Sequence, residues 1–167
     1  MLPPSVHRLQ KGSATAGFAI AEAMVAAGIA VIALGGFYAS AQQAGRVLRM
    51  GKEIASASEL LQERIEALRY APPWSNVTTA FGIAAVTGPA TGASANFPNV
   101  TETYTVSGYP SGGTLIVTRS PSGTFTNNGV DLSASVCVKV TVSASWTGVG
   151  NRPRSRQLST IIAKGGI

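Results

Sequence analysis

One cysteine, one histidine and seven carboxylates are all that 167 residues offer to most enzyme chemistry. With Cys137 alone, no disulfide can form within the chain. The single imidazole, His7, stands in the first seventeen residues, so the remainder has no histidine to activate its many serines. Past residue 73 the only carboxylates are Glu102 and Asp131, too few for a carboxylate pair or a metal cluster. No catalytic residue, no cofactor and no metal site is expected, and no enzymatic activity.

Charge is also scarce, at 12% of residues, and its distribution leaves one long stretch almost bare. Residues 1–17 (MLPPSVHRLQKGSATAG) form a polar, mildly basic leader. Residues 18–41 follow as FAIAEAMVAAGIAVIALGGFYASA, apolar apart from one carboxylate, Glu22. A helix rising about 1.5 Å per residue would cross the roughly 30 Å hydrocarbon core over this length. An ionised side chain inside such a segment costs at least about 2.5 kcal/mol, so Glu22 calls for a partner. The formal charge is +6; without Arg8 and Lys11 of the leader, eleven basic side chains face seven acidic ones. That modest excess favours anionic surfaces without requiring nucleic acid.

Beyond Gln42 the helical pattern continues but becomes amphipathic. Val47, Ile54, Leu61, Ile65 and Leu68 share a stripe, with Gly51 and Ser58 as its small members. Arg49, Lys52, Glu53, Glu59, Glu63, Arg64 and Glu66 are assigned to other faces. Pro72-Pro73 ends the pattern, so the helix is predicted over about residues 18–70, with Gly28, Gly35-Gly36 and Gly45 as points where it could bend.

After Trp74 the composition turns to Thr, Ser, Gly, Val and Asn, the vocabulary of short strands and turns. Residues 82–99 read as loop. Strands are predicted at 101–108, 114–119, 135–147 and about 154–163. In the third, Val136, Val138, Val140, Val142, Ala144 and Trp146 occupy one face. Cys137 falls on the other, where an inert half-buried thiol is expected. Residues 148–153 are expected to link the last two strands as a hairpin loop.

The fold class expected is α+β: a long N-terminal helix, transmembrane then amphipathic, on a small antiparallel sheet. Its divisions are a leader at 1–17, an apolar helix at 18–42, an amphipathic continuation at 43–71 and a β-rich domain at 72–167.

Gly17-Phe18-Ala19-Ile20-Ala21-Glu22 resembles the class III leader junction of type IV pilins and type II secretion pseudopilins. In that family a leader ends in glycine, the mature chain opens with phenylalanine and glutamate stands fifth. The helix end Glu59-Leu60-Leu61-Gln62-Glu63-Arg64-Ile65-Glu66-Ala67-Leu68-Arg69 and the closing Leu158-Ser159-Thr160-Ile161-Ile162 are similar to those of PilV-like minor pilins. Ala19 and Ala21 depart from the usual residues, no proline stands at Ala39, and no cysteine pair brackets a C-terminal loop.

The resemblance implies cleavage after Gly17 by prepilin peptidase, methylation of the Phe18 amine, and pairing of that amine with Glu22 of a neighbouring subunit. It also implies the partners: other pilin or pseudopilin subunits, an inner-membrane assembly platform, and membrane lipid before assembly. The expected location is the bacterial inner membrane, with the sheet domain periplasmic, and then a filament. Arg152, Arg154 and Arg156 form the one dense basic cluster of the outer domain, a candidate contact for an anionic surface or for DNA. Two other readings stay open: an ordinary signal peptide cut after Ala41, releasing a β-rich binding domain, and a DNA-capturing pilin of a competence filament.

Overall fold

The computed structural model describes residues 14–70, 73–88, 99–110 and 112–165, with residues 14–17 in backbone only. Residues 1–13 of the leader, Pro72 and most of the expected 82–99 loop lie outside this set. The chain divides into two compact units, Met1–Gly45 and Arg46–Ile167.

Helix α1 covers Ala14–Arg69 and is continuous through Gly28, Gly35, Gly36 and Gly45. It begins four residues before the expected start at Phe18. In the first unit its described apolar side chains are uncovered: Phe18, Ile20, Met24, Val25, Ile29 and Ile32 are all exposed. From Phe18 onward α1 is long and apolar enough to cross a membrane.

The second unit is a helix-on-sheet layer pair, an α+β arrangement. Short helices α2 (Ser75–Thr78) and α3 (Ala80–Thr87) precede five strands: β1 Thr101–Tyr109, β2 Thr114–Arg119, β3 Phe125–Asn127, β4 Cys137–Gly148 and β5 Arg152–Ala163. All neighbours are antiparallel, in the order β3-β2-β1-β4-β5. The period-two pattern places Tyr104, Val106, Leu115, Val117, Val138, Val140, Val142 and Ala144 on the buried face. Ala57, Leu60, Leu61, Ile65 and Leu68 of α1 complete one core with them. At about 25 cal/mol per Å² of apolar area removed from water, this stripe is the main bond between helix and sheet.

Several expectations need correction. Val47 is exposed and Ile54 only half-buried, so the buried stripe starts at Ala57. Arg64 and Glu53 are not on free faces: Arg64 is buried and Glu53 half-buried. The segment from residue 82 is not loop up to Thr87, because α3 occupies it. Thr79 caps α3, its Oγ1 accepting from the Gly82 amide at 3.0 Å. Gly82 is enforced by contact rather than by turn geometry: a Cβ there would lie 2.1 Å from the Ser75 carbonyl oxygen. The long strand starts at Cys137 instead of Ser135, leaving Val136 exposed. Arg152 and Pro153 belong to β5, so the hairpin loop is only Val149, Gly150 and Asn151. Gly150 and Asn151 there adopt positive φ, at 80° and 56°, which suits these two residue types.

Candidate functional site

Three places hold the functional side chains the sequence offers. The first is the head of α1. Gly17 and Phe18 lie inside the helix, so cleavage between them, which the resemblance implies, would require the junction to unwind. The Phe18 ring is exposed, and Glu22 one turn on is exposed with no hydrogen bond or ion pair among the described residues. An uncovered apolar helix carrying one unpaired carboxylate is competent to insert into lipid or bundle with like helices.

The second place is the β4–β5 hairpin end. Glu53 Oε2 accepts from Trp146 Nε1 at 3.3 Å and its Oε1 accepts from the Val149 amide at 3.2 Å. Arg154 Nε stands 4.0 Å from Oε2, an ion-pair distance beyond hydrogen-bond reach. Gly148 makes room for this, since a Cβ would come within 2.5 Å of Arg154 Cδ. Arg154 is thus drawn to the helix and half-buried, while Arg152 and Arg156 are exposed. The register puts all three opposite Gly148, Trp146 and Ala144, hence on the helix side of the sheet. Of the expected trio of anion contacts, Arg154 is held beside Glu53, whereas Arg152 and Arg156 have no ion pair or hydrogen bond among the described residues.

The third place was not expected. Glu102, nearly inaccessible, accepts from Arg64 Nε and from Arg119 Nη1, each at 3.1 Å, and from the Tyr104 hydroxyl. Arg64 also pairs with the exposed Glu63 at 3.1 Å. Arg119 lies over the Phe125 ring, 5.6 Å from its centroid. Its Nη2, also buried, has no hydrogen-bond partner among the described residues. Burial works against the Arg64 charge, but Glu102, Tyr104 and Glu63 outweigh it and hold the guanidinium above its ordinary pKa. Burial, then the Glu102 charge, pushes the Tyr104 phenol well above its ordinary value. A phenol held protonated and a carboxylate clamped by two arginines make a lock, not an acid–base pair. The signal for it was in the pattern. Glu102 shares the inward parity of Tyr104 and Val106, Arg119 that of Leu115 and Val117, and Arg64 lies four residues from both Leu60 and Leu68.

Among the described residues no group of three His, Cys, Asp or Glu side chains is placed to hold a metal. Cys137 is free and half-buried. Comparison with protein-family models, with curated proteins and with solved structures finds no match.

Proposed function

We propose that this chain is a non-catalytic subunit, a minor pilin or pseudopilin, of a type IV pilus or type II secretion-like filament. The observation that carries the reading is the Gly17-Phe18 junction with Glu22, placed at the head of a long helix whose apolar side chains are uncovered. Cleavage by prepilin peptidase after Gly17 would leave a cationic Phe18 amine four residues from a carboxylate. Each is costly if left alone in an apolar bundle, so the amine of an incoming subunit pairs with Glu22 of a neighbour and sets axial register. Other subunits, the assembly platform and, before assembly, the lipid of the inner membrane are the partners this requires. The sheet domain then lies on the periplasmic side and coats the filament.

Intact-mass and peptide mass spectrometry of the protein from its native host tests the reading. A methylated Phe18 terminus is the expected result. A terminus at Gln42 means an ordinary secreted domain and removes the role given to Glu22. An unprocessed Met1 overturns filament entry by this route.

A further inference from the structure

The two margins of the sheet are unequal. β3 is three residues long, which by itself discourages pairing, whereas β5 runs twelve residues with β4 as its one neighbour among the described residues. The Lys164 amide donates to the Val136 carbonyl at 2.8 Å. Alternation along an antiparallel ladder then turns the even-numbered residues of β5 toward β4. The N–H and C=O groups of Ser155, Gln157, Ser159, Ile161 and Ala163 therefore point away from the sheet. Pro153 falls in the same outward set, where a missing N–H costs no ladder bond.

The first half of this margin carries Pro153 and three arginines, devices that repel casual pairing. Residues 157–163 (QLSTIIA) carry no charge and no proline, and Ile161 is 69% exposed. A second copy of the chain fits poorly. Antiparallel pairing over residues 157–163 would set Arg156 against Lys164 of the copy, and like charges directly opposite destabilise a sheet. The nearby carboxylate, Glu53, is already engaged by Trp146 and Val149. What matches is a strand whose side chains bring the missing negative charge.

We propose that the free margin of β5 is a strand-addition site for an extended segment of another protein. That segment bears carboxylates beside Arg152 and Arg156 and uncharged residues beside 157–163. Main-chain hydrogen bonds to the outward groups supply affinity, and the arginines select sign and direction. The site is independent of cleavage at Gly17, so its failure and the failure of the filament reading are separate outcomes.

The test uses the full chain in detergent micelles and a fluorescent peptide of about ten residues, read by anisotropy. The peptide alternates threonine with valine in its first half and threonine with aspartate in its second, the order an antiparallel addition needs. Binding in roughly the micromolar range is expected. Ser159→Pro removes one outward N–H and no main-chain bond to β4; it also removes the exposed hydroxyl contact with Thr141 at 2.9 Å, which Ser159→Ala removes equally, so it is expected to weaken binding about tenfold with the unfolding midpoint close to that of Ser159→Ala. Ser159→Ala is expected to bind as the parent does, and Arg156→Ala a few-fold more weakly. The same peptide N-methylated at alternate amides, which requires no change in the protein, is expected not to bind. Absence of binding by the unmethylated peptide, or equal binding of the methylated one, overturns the proposal. So does a duplex DNA oligonucleotide that displaces the peptide and ignores Ser159→Pro, which would mark the arginines as a nucleic-acid contact.

Discussion

Replacing Glu102 with glutamine keeps the shape of the side chain and removes only its charge. Arg64 and Arg119 then face each other in a nearly dry interior, each deprived of the carboxylate it now meets at 3.1 Å. Removing one partner of a buried ion pair costs about 3–5 kcal/mol, because the orphaned charge cannot recover its hydration. Here two cations are orphaned; Arg64 keeps a second carboxylate in the exposed Glu63, while Arg119 keeps the Phe125 ring and no carboxylate among the described residues. The upper half of that range is therefore expected. With a urea slope of about 2 kcal/mol/M, the midpoint of the sheet domain should fall by about 2 M. Urea unfolding of the full chain in micelles, followed by Trp74 and Trp146 fluorescence, measures it. A loss below about 1 kcal/mol would refute the reasoning, for the arginines would then have found water or another partner. The companion variant, Arg64→Met with Glu102→Met and Arg119→Leu, removes every charge together and should come out near neutral. Such a pair of results would make the lock a device that fixes how α1 sits on β1 and β2, rather than a large source of stability.

Gly82→Ala drives a Cβ against the Ser75 carbonyl and Asn76 Cα, both backbone, and should cost about 3 kcal/mol; Gly148→Ala meets mainly the movable Arg154 side chain and should cost about 1 kcal/mol. Finding the opposite order in urea unfolding would show that the α2–α3 corner gives way more easily than the contacts allow. Tyr104 supplies a pH dependence. Its phenol is raised when folded, so the unfolded chain loses that proton first; stability is whole below pH about 10 and declines above it, and Tyr104→Phe should remove this part of the decline. Asp131, exposed and depressed by hydrogen bonds from the Ser133 hydroxyl and amide, acts in the other direction: its contribution is present above the ordinary aspartate pKa and fades as pH falls below it. Glu22→Ala should still insert in membranes yet be missing from sheared filaments; normal incorporation would end the pairing argument for Glu22.

Patterns with a short period were the legible part. The apolar run, the leucine stripe from Leu61 to Leu68 and the alternation of β4 each announce an element and its buried face. Two things hid. Residues 80–87 have little polarity contrast, and α3 exists because Thr79 caps it and Gly82 lets it lie against α2, both tertiary matters. The Glu102 cluster joins residues 38 and 17 positions apart, a separation no local window spans. Charge type misled there. Charge alone sets Arg64 and Glu53 on faces apart from the apolar stripe, although the spacing of Arg64 from Leu60 and Leu68 points inward. The hairpin arginines were legible as a cluster but not as a face, since that depends on which β4 residue stands opposite each.

Cys137 is the sole sulfhydryl of the chain, and it opens β4 with Ala163 across one side and Tyr109 across the other. Half-covered by that arrangement, it meets a reagent such as an aromatic disulfide more slowly while the strand ends stay paired than when they part. The colour released per minute therefore tracks fraying at this corner, in the unaltered protein with no engineered label. A strand added along β5 should slow that release, and loosening of the Glu53 clasp at the far end of the hairpin should leave it nearly untouched.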